Sequence, residues 1–272
     1  MKYTPKQLED NVNVSKSHPL VDLFWLTGGL VLIAGLIFLA LGLATDLAVS
    51  KTPVNIENWL GKQALKRFTS TTNPPLQQRL NTLLASLPED SLLHDYDFKI
   101  FLSETDAVNA IALPGGNIVV YSGLLREIKS ENELAMVLYH ELGHFEHRDH
   151  LRGLGRGLSL TLASVLLFGS DSAASEVVSK TLLTFQANYS QSQESAADTF
   201  GLDMLVAHYG HAGGATDFFS RLATQADNTN RLPYLLASHP HPQDRIDEIN
   251  KRIIDNNYSI GTPTPLADNL KD

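Results

Sequence analysis

Hydrophobic and polar positions change their spacing several times along the chain, and each change marks an element. The first change is abrupt: Leu23 to Thr45 carries no charged residue. A helix over this run reaches roughly 34 Å at about 1.5 Å per residue, enough to cross a hydrocarbon core of about 30 Å. Trp25 near one end suits an interfacial anchor. The leader ahead of it carries Glu9, Asp10 and Asp22, whereas a cleaved secretion signal has a short basic leader. An uncleaved transmembrane anchor is therefore expected over 20–48, after a polar tail over 1–19, with a signal peptide or a buried core helix as the competing readings.

Residues 49–72 form a connecting segment with a short helix predicted around Trp59 to Phe68. A single domain is expected over 73–258, and a flexible tail over 259–272. Leu76, Leu80, Leu83, Leu84 and Leu87 recur at helical spacing and predict a core-facing stripe. Tyr96 to Leu102 alternates, and Val108 to Leu113, then Pro114-Gly115-Gly116, then Asn117 to Tyr121 predict two strands joined by a tight turn. A long helix is predicted from about Glu131 to about Asp149, burying Leu134, Val137, Leu138 and Leu142. Gly157 to Ser170 is uncharged but too short to span a bilayer, which predicts a buried or membrane-touching helix. Further helices are predicted over Val177 to His208 and Pro242 to about Ile254. The fold class that follows is α+β, mainly helical, with one small sheet.

Composition narrows the chemistry. With 272 residues, 43% of them hydrophobic, the chain can bury a full core. A net charge of −9 with no basic stripe excludes general nucleic-acid binding, which needs clustered cations against phosphates. The absence of cysteine excludes disulfides, thiolate metal sites and a cysteine nucleophile. Any metal is left to histidines and carboxylates.

His140-Glu141-Leu142-Gly143-His144 is HExxH inside the long predicted helix. Positions i and i+4 lie on one helix face, so both imidazoles reach one ion, and Glu141 points at the space beside it. A catalytic zinc takes three protein ligands and keeps an open position for water. Two residues compete to be the third. His150 stands where HExxHxxGxxH proteases place a histidine, but position 147 is His rather than the glycine that turns the chain back. A continuing helix leaves His150 about 15 Å along the axis from His140. His147 and His150 are thus expected at the surface or as weak ligands of another site. The other candidate is Glu194, on a later helix with Asp198 one turn on, where Asp198 can fix the tautomer of a ligating imidazole. Taken alone, that pair is more often a solvated helix face.

In its order of motifs, the chain resembles the HtpX-like and CAAX prenyl protease family of zinc metallopeptidases. The likeness runs from about Asp97 to Ile254. It comprises Asn109-Ala110 with LPGG, SGLL at Ser122 to Leu125, ENELAMVLYHELGH, YSQSQESAAD with Gly201, and SHPHPQDRI from Ser238. The resemblance implies a zincin-like (gluzincin) fold, one Zn2+ on His140, His144 and Glu194, base Glu141, and Asp198 supporting a ligand. It also implies that His239 and Arg245, from the family's HPxxxxR element, face the active site. Gln191 stands where the family usually has arginine.

The expected function is that of a membrane-anchored zinc endopeptidase acting on unfolded or misassembled polypeptides in protein quality control. A zinc-bound chaperone or adaptor with little proteolysis is the alternative. The exposed edge of a strand around Asn109, Ala110, Ile111 and Ala112 is expected to hold extended substrate by β-augmentation. His239 and Arg245 are expected as donors to the developing oxyanion, with His239 alternatively a resting-state zinc ligand. Lysines lie on both sides of the span, at Lys2, Lys6 and Lys16 before it and Lys51, Lys62 and Lys66 after it. The expected placement is single-pass in a bacterial inner membrane with the catalytic domain periplasmic.

Overall fold

The computed structural model describes residues 18–157, 169, 189–225, 239 and 242–270. The chain divides into two compact units, 1–44 and 45–272. Helix α1, Pro19–Ser50, supplies all the described structure of the first unit. Among the described residues it is the one helix long and apolar enough to cross a membrane. Its side chains up to Ala44 are largely exposed, with Trp25 at 70%. Residues 1–17 of the tail predicted over 1–19, most of the helix predicted over Gly157 to Ser170 and the start of the one predicted over Val177 to His208 lie outside the described residues.

In the second unit the elements run α2 (Val54–Leu65), β1 (Ser70–Thr72), α3 (Pro74–Leu84), β2 (Lys99–Ser103), β3 (Ala110–Leu113), β4 (Asn117–Tyr121), α4 (Ser122–Glu127) and α5 (Glu131–Glu146). After a short helical run over 149–157 come α6 (Gln191–Tyr209), α7 (Asp217–Gln225) and α8 (Pro242–Asp255). The strands form one mixed sheet in the order β1-β2-β4-β3. β2 pairs with β4 in parallel, with Ile100 opposite Ile118, and β3 returns antiparallel with Ala112 opposite Ile118. The turn between β3 and β4 places Gly115 and Gly116 at positive φ, which explains the glycine pair.

Alternation along the strands gives the sheet two apolar faces. Ile100, Ala110, Ala112, Ile118 and Val120 join the main core with Leu76, Leu80 and Leu83 of α3 and the apolar side chains of α5. On the opposite face Ile111, Leu113 and Val119 are covered by Ala64, Leu65 and Phe68. The stretch expected to be a mere connection therefore closes one side of the sheet, and α2 begins five residues before the predicted Trp59. β1 was not predicted: three polar residues show no useful alternation, and the strand exists through pairing with β2.

α5 starts on Ser130, whose hydroxyl accepts from the Glu133 amide, and every residue from Asn132 to Phe145 is buried. Such a helix lies inside the domain rather than on its surface. It ends at Glu146, earlier than predicted, because Arg148 adopts φ 53° and reverses the chain. The expected flexible tail is also corrected. Leu266 and Leu270 are buried, Thr264 accepts from the Glu131 amide at 2.9 Å, and its own amide donates to Asn132 at 2.8 Å. The segment shields the start of α5.

Candidate metal centre

Among the described residues α5 and α6 are the most extensively packed helix pair, and glycine permits their close approach. A Cβ on Gly143 would lie 2.9 Å from the Cα of Ala197, and one on Gly201 would lie 3.2 Å from the His140 amide nitrogen. This approach brings Glu194, on the first turn of α6, to the two histidines of α5. α6 itself starts on a capping box, with Ser190 and Gln193 each satisfying the other's amide.

Four side chains then converge: His140, His144, Glu194 and His239, each with a donor atom within 4.8 Å of the others and all buried. The Nε2 atoms of His140 and His144 are 3.2 Å apart, and His239 Nδ1 lies 3.2 Å from His140 Nε2. Glu194 oxygens stand 3.5 Å from His144 Nε2, 3.6 Å from His140 Nε2 and 2.9 Å from His239 Nδ1. Ligands at about 2.1 Å in a tetrahedron are roughly 3.3–3.4 Å from one another, so the spacing fits a single ion. The outer nitrogens agree. His140 Nδ1 meets Asp198 Oδ1 at 2.8 Å and His144 Nδ1 meets Asp149 Oδ2 at 3.1 Å, an arrangement that leaves both Nε2 atoms facing inward as candidate ligands.

The electrostatics draw positive charge to the same point. Burial would raise the Glu194 carboxyl, but His239, His144 and His140 hold it well below the usual carboxylate range. Burial works against a charge on His144 too, yet Asp149 and Glu194 push it up to about 9. Burial likewise opposes ionised Asp198, and Arg245 outweighs it to hold the carboxyl at about 2.

Residues 70–253 match peptidase family M48. The chain belongs to this family. The match agrees with the resemblance carried by the motifs. Among its relatives the beta-barrel assembly-enhancing protease of Escherichia coli K12 is 31% identical over 66% of this chain and 39% of its own length. This chain thus spans about two fifths of that relative. Metalloprotease YcaL of the same organism is 30% identical over 58% of this chain and 62% of its own length. Metalloprotease LoiP is 25% identical over 69% of this chain and 75% of its own length.

Within this M48 site Glu141 is buried beside the cluster, its Oε1 3.6 Å from His239 Nε2 and its Oε2 without a hydrogen-bond partner. A small cavity lies against it, lined by Ala110, Val137, Phe218, Phe219 and His239. Arg245, expected to face the active site as an oxyanion donor, lies at the site but spends its nitrogens on carboxylates. Nε and Nη2 donate to Asp198 at 2.7 Å each, and Nη1 meets Glu194 at 3.0 Å.

Two other expectations change. His150 is fully buried rather than at the surface, with Nε2 3.4 Å from Glu57 and its ring against Phe145, and it takes no part in the cluster. His147 is half-buried and caps α5 through the Gly143 carbonyl at 2.8 Å. β3 is the outermost strand on its side of the sheet, but Asn109, Ala110, Ile111 and Ala112 are buried rather than exposed, because α5 packs on one face and α2 on the other. Of them Ala110 lines the cavity beside Glu141. Gln191 is exposed on the first turn of α6.

Sequence reasoning missed three neighbours of the candidate ligands. Asp149 reaches His144 only because Arg148 reverses the chain, and Gln193 Nε2 holds the other Asp149 oxygen at 2.7 Å. The Ser190–Gln193 capping spacing was visible in the sequence and would have placed the start of α6. Tyr189 stacks on His144, ring centroids 3.7 Å apart at 16°, and no spacing signals it.

Proposed function

We propose that this chain is a membrane-anchored, zinc-dependent endopeptidase that hydrolyses peptide bonds of unfolded or misassembled proteins. The observation that carries the reading is the convergence of His140, His144 and Glu194 beside a buried Glu141 carboxylate with an unpartnered oxygen. Two imidazoles and a carboxylate with no thiolate suit zinc. The ion would supply the Lewis acidity that polarises the carbonyl and acidifies water. Glu141 is the base that takes the proton of the attacking water and returns it to the leaving amine. Asp198 and Asp149 fix the tautomers of His140 and His144. Arg245 is a positioning residue, clamping Asp198 and Glu194 at once. His239 is the fourth donor of a resting site, and its displacement opens the position that water needs.

α1 supplies the anchor, with the N-terminus inside and the catalytic domain periplasmic in a bacterial inner membrane. The Escherichia coli relative named for β-barrel assembly supports quality control as the setting. β3, beside the cavity, is the strand against which an extended substrate pairs once the site opens.

Glu141→Gln tests the reading, because the amide cannot accept the water proton while every ligand remains. Zinc content should be unchanged and turnover of an unfolded protein such as casein should fall by about 10²–10⁴. Full cleavage by the zinc-loaded variant would overturn it. No cleavage by either zinc-loaded protein would point instead to a zinc-bound adaptor that does not cleave.

A further inference from the structure

We propose that the Tyr189 hydroxyl is a catalytic hydrogen-bond donor to the carbonyl oxygen of the bond being cleaved. The inference rests on the protease reading above. Tyr189 is 6% exposed, and its hydroxyl is buried with no hydrogen-bond partner among the described residues. A buried donor left unmade is costly, and such groups in native sites call for an explanation. Among the described residues the other unpartnered side-chain atom at this centre is Glu141 Oε2, the atom that meets the attacking water. The ring is not free to turn away, since it lies flat on His144 and its centroid is 5.5 Å from that of His239.

Among the described residues the other donors at the centre are committed, except His239 Nε2, which lies 3.6 Å from Glu141. Arg245 is held by Asp198 and Glu194, His239 Nδ1 meets Glu194, and the outer nitrogens of His140 and His144 meet Asp198 and Asp149. Attack on a peptide carbonyl forms a C–O bond from water while the C=O π pair moves onto oxygen, which then needs a donor. Tyr189 supplies an O–H without giving up its proton. When the C–N bond breaks, the pair returns to the carbonyl and the amine takes its proton from Glu141. Water adds across the amide and nothing is left over.

The ring and the hydroxyl do different things, so two variants separate them. Tyr189→Phe keeps the stack on His144 and should lower kcat by about 10²–10³ with KM little changed. Its zinc should resist a competing chelator as in the parent. Affinity for a peptide whose scissile amide is replaced by a phosphinate, measured by calorimetry on the zinc-loaded full-length protein, should fall by at least tenfold, because the tetrahedral oxygen loses its donor. Tyr189→Leu removes the stack as well and should lower zinc retention. An active parent with unchanged kcat and phosphinate affinity in Tyr189→Phe overturns this proposal alone. Loss of zinc from Tyr189→Phe also overturns it, by assigning the hydroxyl to the metal site. A parent protein that neither cleaves nor binds the phosphinate overturns the protease reading and this proposal together.

Discussion

Replacing Gly143 by alanine tests whether the contact between α5 and α6 sets the metal site. The added Cβ would meet the Ala197 Cα at 2.9 Å and the Ala197 carbonyl oxygen at 3.1 Å, both backbone atoms that cannot rotate aside. Carbon atoms pack at about 3.5–4.0 Å, so the helices must part locally by roughly 0.6–1 Å. Alanine gains about 1 kcal/mol of helix propensity over glycine, while such overpacking costs about 1–3 kcal/mol. The net change in stability without metal is small, about 0–2 kcal/mol of loss. The metal is more sensitive. Glu194 sits one turn before Ala197 on α6, and metal–ligand distances tolerate only about 0.2 Å. Affinity should fall about 10–100-fold, the range of a lost supporting partner.

The assay is zinc retention against a graded chelator, with thermal unfolding recorded with and without zinc. Gly153→Ala is the internal control. It exchanges the same residues in the helical run over 149–157, where a Cβ meets nothing within 4 Å. It should raise stability by about 0.5–1 kcal/mol, roughly 1–4 °C in a domain of this size, and leave zinc retention alone. If Gly143→Ala behaves like Gly153→Ala in both measurements, the crossing does not position Glu194 and the reasoning fails.

Glu194→Ala should strip zinc from the folded protein while His150→Ala keeps it at some cost in stability, since His150 pairs with buried Glu57; the reverse pattern by metal analysis would reject the ligand assignment. His239→Ala should raise turnover with zinc retained, because its Nδ1 stands among the other ligands, whereas a fall of about a hundredfold would make it an oxyanion donor instead. The intact protein should fractionate with membranes and resist alkaline extraction, and a mature N-terminus found between Ala44 and Lys51 would show α1 to be a removed signal.

The sequence by itself determined whatever depends on one stretch of backbone. HExxH is a chelate because helical periodicity stacks i on i+4, and that holds wherever the helix sits. The leucines of α3, the hairpin at Gly115-Gly116 and the apolar length of α1 follow from local pattern in the same way. Glu194 was different: its spacing to Asp198 is common on helix faces, and only the ordered set of motifs singled it out. Tertiary structure decided everything that depends on where distant segments meet. Arg148 at φ 53° carries no glycine signal, yet it ends α5 and delivers Asp149 to His144 and His150 to Glu57. The resemblance cast Arg245 as an oxyanion donor, whereas in space it is tied by two carboxylates, and Tyr189 became part of the centre only by lying flat on His144. α2 and residues 256–270 are exposed or half-buried at most positions, and only tertiary packing decided that Ala64 and Leu65 cover the sheet and that Leu266 and Leu270 join the core. Local periodicity is a property of the chain; the crossing of α5 and α6, closed over two glycines, is a property of the packed domain, and it is what brings Glu194 to the two histidines as a candidate metal site.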